Sequence, residues 1–544
     1  MDKDTTVSVF LIILLIFITL GVVLYCQYPA LKERLIAHCD INTYIFPIYS
    51  LQNRKLFKND LLTQYVLSTQ IPKGYLALFL FLGNFFDIVF CFNILPFILT
   101  TFSVICLFVL GKNIKNNLAG FAMSFLFLMH CWTFHTFQGT SPRAFAYPLL
   151  IPFIYSLIKR KYIICFFLYL IQIFFYPPIA LISLLTLFFA LIETKDYKLY
   201  IKLKPPLVLI LFISTILFPL ANLFQFGANS RRIFGRVATL PDMFKMSEFY
   251  PGGRDPFFFN NIWQFLASSR AGVELNSPLI FILTVLLALF LILKKIKNDR
   301  FLLAREIKCL LLASFILYLL AFFLLLRLFF PARYLVFTIP FVICVSIGVL
   351  FSNLVGTLKN RSAKNKTVIA FILFIVLFYL PRINGRLQDY LYLKEVISYL
   401  SKVAEDSVIA SIPPLSDPIP TFAKRKVLFS RRLLLPFYLG YYDKVKKRAF
   451  DFFDAYYSDS IQPVREFCHK YSVDYIVLNK RHFCPEFFKS YTEDEPFNSY
   501  IQEITKSKKN FFLPNIDKSR IVFEKDDFVI IKTSDFKSKE NTPG

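Results

Sequence analysis

The sequence predicts a polytopic α-helical membrane protein with a soluble α/β domain after its last membrane helix. Of its 544 residues, 56% are hydrophobic, 18% are charged and 67 are phenylalanine. Apolar residues form repeated long runs before Pro381, and short alternating elements replace those runs after it. Such a composition is typical of a membrane protein, and the change of pattern marks a domain boundary.

Eleven apolar segments are predicted to cross the membrane, the shorter ones as broken or tilted helices. The first, Thr6–Tyr25, has no charged residue, and no small-residue cleavage site follows it, so it is predicted to be a retained signal anchor. The other ten segments are 94–111, 117–137, 144–158, 162–176, 178–192, 205–224, 278–293, 308–327, 335–354 and 367–381.

Residues 73–92 are also apolar, but a crossing there would reverse every later loop. A helix along the outer interface is therefore predicted for this segment, with Asn84 and Asp87 on its wetter face.

The distribution of lysine and arginine predicts the orientation, because basic residues near helix ends are retained in the cytoplasm. With the N-terminus inside, the cytoplasmic loops hold 19 Lys and Arg in 46 residues, and the outer loops hold 13 in 115. The predicted architecture is therefore a membrane domain, 1–382, with outer loops 27–92 and 225–277, followed by an extracytoplasmic α/β domain, 383–544.

The net charge of +26 belongs mainly to the membrane half, because residues 383–544 carry a net charge of only +4. This charge is interpreted as a topogenic signal and an attraction for anionic lipid, and nucleic-acid binding is not expected.

The ten cysteines show no Cys-x-x-Cys spacing. Two disulfides are possible, Cys26–Cys39 and Cys468–Cys484, but the sequence is equally compatible with free thiols at these positions. Glycosylation sequons occur at Asn360 and Asn365, in a predicted cytoplasmic loop, and none occurs in the outer regions. This pattern favours a bacterial protein of the cytoplasmic membrane.

The first outer loop, HCDINTYIFPIYSLQNRKLFKND, holds the first group of candidate functional residues. Asp40 at a membrane edge could act as general base toward an acceptor hydroxyl or help to hold a divalent cation, and Tyr44 could stack on a sugar ring. The alternative is a solvated loop, in which Asp60 caps the helix that starts at Leu61. Whether a metal takes part is left unknown.

Arginines in the other outer turns form a second candidate group. Arg143 in GTSPRAFAYP is the one basic residue of a short outer turn, where lysine and arginine are usually avoided. Arg327 and Arg333 flank the turn of RLFFPARY, which also contains Tyr334. Guanidinium groups at this depth suit a phosphate or pyrophosphate, although an arginine that reaches ordinary lipid head groups gives the same pattern. Further candidates in the 225–277 loop are Arg231 and Arg232.

The segments CDINTYIFP, LFKND, SPRAFAYPLL and FPARYL, together with the layout of spans and domains, resemble the GT-C superfamily of membrane glycosyltransferases. The resemblance implies transfer of a sugar, with inversion, from a polyprenyl-phosphate carrier to a glycan, lipid or protein acceptor on the outer side. It places Asp40 where such enzymes have a first-loop catalytic aspartate, and it assigns the carrier phosphate to the outer arginines. Many members have adjacent acidic residues in this loop, whereas here Ile41 follows Asp40.

Two other classes of function stay open. A transporter or a flippase for lipid-linked glycans also uses many spans, but it commonly places ionisable groups at mid-membrane, and the centres of these spans are almost free of charge. The other is a non-catalytic scaffold whose C-terminal domain recruits a partner.

Overall fold

The computed structural model describes residues 3–537 except 134, 196–197, 202–204, 227–229, 274–303, 491, 507 and 509. The chain divides into two compact units, and each unit combines three separate stretches of sequence. Unit 1 consists of Met1–His38, Pro72–Gln225 and Asn260–Leu387, and unit 2 of Cys39–Ile71, Phe226–Phe259 and Gln388–Gly544. The predicted domain limits stay a prediction.

Unit 1 is almost entirely helical. Its α-helices are Lys3–Lys32, Lys73–Leu82, Ile88–Ile114, Asn117–Thr133, Ala146–Ile158, Tyr162–Phe175, Pro177–Leu191, Pro205–Phe226, Ile262–Ala267, Arg305–Leu324, Thr338–Thr357 and Arg361–Tyr379. Short 3₁₀ turns are Pro142–Phe145, Leu325–Arg327, Pro331–Tyr334 and Leu380–Arg382, and the strands are Ile36–His38 and the hairpin Ile192–Lys195 with Lys198–Ile201.

The helices coincide with ten of the eleven predicted spans. Five of them are long and apolar enough to cross a membrane, or six if a pair bent by 115° counts as one, and five shorter apolar helices of 10–17 residues accompany them in the described part of the chain. The eleventh predicted span, 278–293, lies outside the described residues. The protein is thus a largely helical chain with several candidate spans, and the count of eleven and the orientation stay predictions.

The prediction of one interfacial helix over residues 73–92 is wrong. The helix Lys73–Leu82 ends at Gly83, and a new helix, Ile88–Ile114, begins after a short break. Asp87 is the N-cap of this second helix, because its Oδ1 accepts a hydrogen bond from the backbone N–H of Phe90 at 3.1 Å. A capping aspartate stabilises the start of a helix, so Asp87 begins the long helix instead of lying on the polar face of a shorter one.

Three helices of unit 1 pack closely through small residues. A Cβ atom on Gly111 would lie 2.6 Å from the Cα of Gly120, and one on Gly348 would lie 2.3 Å from the side chain of Met123. These glycines lie on Ile88–Ile114, Asn117–Thr133 and Thr338–Thr357. Close backbone approach through small residues is the usual means of helix association where no hydrophobic effect drives it.

Unit 2 contains a five-stranded mixed sheet. Its strand order is Lys426–Val427, Val408–Ser411, Tyr475–Asn479, Phe528–Lys532 and Ile521–Lys525. The first three strands are parallel, and the last two continue the sheet in antiparallel pairing. Helices connect the parallel strands, as parallel pairing requires.

The helices of unit 2 come from all three of its stretches of sequence. They are Ile41–Tyr44, Phe46–Gln52, Leu61–Thr69, Ser230–Phe234, Leu240–Met243, Lys394–Leu400, Pro413–Ser416, Ile419–Phe422, Leu439–Tyr456, Ile461–Tyr471, Pro485–Ser490, Phe497–Thr505 and Ser534–Lys537. A strand, Leu387–Asp389, precedes them at the start of the third stretch, and the 3₁₀ turns are Ser247–Phe249, Leu391–Leu393, Arg431–Leu433, Lys480–Phe483, Leu513–Asn515 and Lys518–Arg520.

Aromatic side chains join the three stretches into one core. The rings of Tyr65 and Tyr441 stack in parallel with centroids 3.6 Å apart, and Phe234 packs edge-on against both. All three side chains are fully buried. Aromatic pairs of this kind contribute about 0.5–1.5 kcal/mol each beyond their buried area.

Candidate functional site

Asp40 lies in unit 2, directly before the short helix Ile41–Tyr44. Its side chain does not cap that helix, although its carbonyl oxygen accepts from the N–H of Thr43 at 3.0 Å. The carboxylate is 16% exposed and lies 3.8 Å from Nη1 of Arg432. The fold therefore positions this carboxylate beside a cation and leaves helix capping to the backbone.

Arg432 is the centre of a polar cluster that the sequence analysis missed. It lies on the 3₁₀ turn Arg431–Leu433, which follows Ser430. The hydroxyl of Ser430 donates to Oδ1 of Asp417 at 2.7 Å, and Asp417 also interacts electrostatically with Arg432. Unit 2 therefore surrounds one arginine with two carboxylates, one from the first outer loop and one from the PPLSDP segment.

Burial and neighbouring charges act in opposite directions on the pKa values in this cluster. Burial alone would lower the pKa of Arg432, but the nearby Cys39, Asp40, Asp417 and Tyr390 outweigh it and raise that pKa. Burial raises the pKa of Asp417, and the hydrogen bond from Ser430 and the charge of Arg432 only partly oppose it. Arg432 thus stays cationic and places a positive charge beside the Asp40 carboxylate.

A buried hydrogen bond links the start of the first loop to the third stretch of unit 2. The side-chain amide of Asn42 donates to the hydroxyl of Tyr390 at 2.8 Å. The ring of Tyr390 packs on Phe422 with centroids 5.8 Å apart. These contacts fix the backbone beside Asp40, and a fixed carboxylate is what acid–base chemistry requires.

Three consecutive residues could together bind a cation. One ligand atom from each of His38, Cys39 and Asp40 lies within 4.8 Å of the others. A set with imidazole and thiol donors suits zinc and does not suit magnesium or calcium, which prefer oxygen ligands. The cation of Arg432 already accompanies Asp40. The positive charge beside Asp40 thus comes from an arginine of the chain itself.

Asp60 caps a helix. Its Oδ2 accepts from the backbone N–H of Thr63 at 2.8 Å and from the Thr63 hydroxyl at 2.7 Å, at the start of Leu61–Thr69. The side chain is buried, and burial raises the pKa of Asp60 against those hydrogen bonds and the charges of Arg448 and Lys426. The structure thus favours the capping interpretation over a direct role in substrate binding, which stays untested.

The predicted arginine turns belong to unit 1, and two of them lie at the same end of it. Arg143 is half-buried on the 3₁₀ turn Pro142–Phe145, and Arg333 is half-buried on Pro331–Tyr334. Tyr147, just after the first turn, packs against Phe337, just after the second, with ring centroids 5.5 Å apart. This contact brings the SPRAFAYP and FPARYL segments together.

The same region includes an arginine that the sequence analysis did not identify. The carbonyl oxygen of Arg270 accepts from the N–H of Ala332 at 3.1 Å, and its guanidinium lies 5.2 Å from the centre of the Phe330 ring. In the sequence Arg270 is one of six basic residues in the 225–277 loop, and no feature of the sequence distinguishes it from the other five. Arg327 is exposed at the end of its helix, and Tyr334 is fully buried with its hydroxyl donating to the carbonyl of Leu328.

The remaining predicted residues lie in unit 2. Tyr44 is half-buried at the end of Ile41–Tyr44, and Arg231 and Arg232 are exposed on Ser230–Phe234. None of the ten cysteines, all of which lie in the described part of the chain, forms a disulfide, so neither suggested bridge is present.

A scan against protein-family models matches none, and a search of curated proteins finds no match. Among solved structures, the chain is similar to the oligosaccharyltransferase of Archaeoglobus fulgidus tethered to an acceptor peptide. The TM-score is 0.51 at 9% identity, over 88% of this chain and 70% of that one. At this identity the likeness shows a shared fold, so this chain has the fold of that oligosaccharyltransferase over most of its length.

Two further structures of the same oligosaccharyltransferase give lower scores. The complex with an inhibitory peptide and a dolichol-phosphate has a TM-score of 0.42 at 11% identity, over 88% of this chain and 70% of that one. The complex with zinc and sulfate has a TM-score of 0.41 at 12% identity, over 91% and 70%.

Proposed function

We propose that this protein is a membrane glycosyltransferase. It moves a sugar from a polyprenyl-phosphate-linked donor to a glycan, lipid or protein acceptor on the extracytoplasmic side of a bacterial cytoplasmic membrane. The observation that carries the proposal is a GT-C-type fold in which the first-loop aspartate, Asp40, is fixed beside Arg432.

The grouping of sequence in unit 2 supports the proposed sidedness. Its stretches Cys39–Ile71, Phe226–Phe259 and Gln388–Gly544 are the regions that the distribution of lysine and arginine predicts to be outside. Residues that share a core must lie on one side of a membrane. A topology that separated these stretches would be incompatible with unit 2.

In the proposed reaction, Asp40 accepts the proton of the acceptor hydroxyl as that oxygen attacks the anomeric carbon. The bond from this carbon to the carrier phosphate breaks, the configuration inverts, and polyprenyl phosphate leaves. Arg143, Arg327 and Arg333 bind the carrier phosphate and stabilise its charge as it departs, with Tyr334 supporting their turn and Tyr44 contacting the sugar. A contribution from the exposed Arg231 and Arg232 is also part of the proposal.

The decisive experiment compares Asp40→Asn with Asp443→Asn, which changes an exposed aspartate of the same unit. Both full-length variants are purified in nanodiscs and given a panel of polyprenyl-phosphate sugars with membrane-derived acceptors, and release of polyprenyl phosphate is measured. Loss of a general base should slow release about 100-fold or more, and Asp443→Asn should release it at the wild-type rate. Equal release from wild type and Asp40→Asn would exclude the catalytic role.

The competing functions give different results in a second assay. A flippase would move a fluorescent lipid-linked sugar from one leaflet of a proteoliposome membrane to the other, and Asp40→Asn would leave that movement unchanged. A scaffold would show neither activity.

A further inference from the structure

A charged cleft in unit 2 has no role in the proposed transfer. It encloses about 890 Å³ beside the ends where the parallel strands Val408–Ser411 and Lys426–Val427 begin. The turn before Leu61–Thr69, which carries the LFKND segment, forms one wall, and the long helix Leu439–Tyr456 contributes to another. Every residue that lines the cleft belongs to unit 2.

Four cations line this cleft, and two of them, Lys426 and Arg448, also act electrostatically on Asp60. The four are Lys55, Lys58, Lys426 and Arg448, and among the described residues none has a carboxylate oxygen within 4.0 Å of its side-chain nitrogens. Arg448 is held in place, because its Nη1 donates to the carbonyl oxygen of Leu428 at 3.1 Å. The carboxylate of Asp60 already accepts two hydrogen bonds from Thr63. A concave surface whose cations form no close ion pairs attracts an anion.

The rest of the lining restricts the kind of anion. Two further carboxylates, Glu405 and Asp406, border the cleft. They would repel a densely charged polyphosphate or nucleic acid more strongly than a ligand whose charges are widely spaced. They can, however, accept hydrogen bonds from hydroxyl groups. The volume falls in the range of sites for ligands larger than a single phosphate ion. Anionic substituents among many hydroxyl groups are the chemistry of an acidic saccharide.

We propose that this cleft binds an acidic saccharide, with Lys55 and Lys58 contacting its anionic groups and Arg448 fixing its position. The binding is separate from the transfer reaction, and it stands whether or not Asp40 is catalytic. The LFKND segment thus has two roles, because Asp60 caps the helix Leu61–Thr69 and Lys58 lines the cleft.

The test is isothermal titration of the full-length protein in nanodiscs of neutral lipid with three probes. Tetragalacturonate is an acidic tetrasaccharide, maltotetraose is a neutral one of the same length, and inorganic phosphate is an anion without a sugar. The test variant is Lys55→Gln with Lys58→Gln, and the control is Lys245→Gln with Lys444→Gln, which removes two exposed lysines outside the cleft. Asp40→Asn is titrated in parallel.

We expect tetragalacturonate to bind the wild type, the control and Asp40→Asn with equal affinity, and the test variant at least about 10-fold more weakly. Maltotetraose should not bind, and binding of tetragalacturonate should weaken as salt rises from about 50 to about 200 mM. Equal affinity of the test and control variants, or absence of tetragalacturonate binding, would overturn the proposal. Phosphate bound as tightly as tetragalacturonate would also overturn it, in favour of a simple anion site.

Discussion

Replacement of Arg432 by glutamine tests whether a positive charge maintains the ionised form of the proposed base. The guanidinium lies 3.8 Å from the Asp40 carboxylate, and the two side chains are 28% and 16% exposed. At this distance an effective dielectric constant of about 20 gives an attraction of about 4 kcal/mol, which partial exposure to solvent reduces. An opposite charge at such a distance typically shifts a titration by about 1–3 pH units.

The expected result is a change in the pH dependence of transfer. In the Arg432→Gln variant the acidic limb of the rate profile should move up by about 1 pH unit or more. The rate at pH 8 should fall much less than the rate at pH 5, because pH 8 lies well above the ordinary range for a carboxyl group.

The assay is release of polyprenyl phosphate from pH 4.5 to pH 8.5, and the matched control is Arg431→Gln. Arg431 is the adjacent residue, and its guanidinium binds Asp494 through hydrogen bonds of 3.0 and 2.8 Å. Loss of Arg431 should lower the amount of folded protein without moving the acidic limb. An acidic limb at the same pH in wild type and Arg432→Gln would refute the assigned role of Arg432.

Three further predictions concern stability, each measured by thermal unfolding of the full chain in nanodiscs. Asp60→Ala removes the cap of Leu61–Thr69 and should cost about 1–2 kcal/mol, with Asp60→Asn losing less; equal stability of wild type and Asp60→Ala would contradict the capping role. The Glu248 carboxylate accepts hydrogen bonds from the Tyr442 hydroxyl at 2.6 Å and from Nζ of Lys446 at 2.8 Å. Glu248→Gln weakens both contacts and should lower the free energy of unfolding by about 2–3 kcal/mol, and an unchanged unfolding temperature would contradict this. Burial lowers the pKa of His482 from 6.5 to about 4, so the folded state favours the neutral imidazole. The free energy of unfolding should therefore fall by up to about 3 kcal/mol as the pH drops from about 6.5 to about 4. The same loss in His482→Gln would show that another group is responsible.

The long apolar runs were the part of the fold that sequence could predict. A helix overlaps each predicted span in the described residues, because a long apolar run in a chain of this composition favours a helix, whose backbone groups are satisfied within the segment. The error at residues 73–92 came from a local signal that competed with hydropathy. Asp87 was assigned to a wet helix face although its position before an apolar run also fits an N-cap.

The C-terminal part of the chain was harder to predict than the apolar runs. The change of pattern after Pro381 indicates an α/β domain, but the edge strand Ile521–Lys525 depends for its stability on pairing with Phe528–Lys532, which local sequence preference does not show. The helix Lys394–Leu400 covers only seven residues, too few to give a clear periodic pattern.

The candidate site shows the same limit. Asp40 was recognisable because it opens the loop after the first predicted span, as in the family that the sequence resembles, and Arg143 because basic residues are rare in outer turns. Arg432 and Asp417 had no such signal. Both lie nearly 400 residues from the first loop, and only the fold places Arg432 beside Asp40.

The interrupted sequence of unit 2 has a consequence for biosynthesis. The ring of Tyr65 stacks on Tyr441, so this part of the core cannot form until a partner some hundreds of residues later in the chain has been translated. A fragment that begins at residue 383 would lack Leu61–Thr69 and Ser230–Phe234, and it would expose the aromatic surface that they cover. In a nascent chain, Leu61–Thr69 and Ser230–Phe234 therefore lack these aromatic partners until Tyr438 and Tyr441 have been translated.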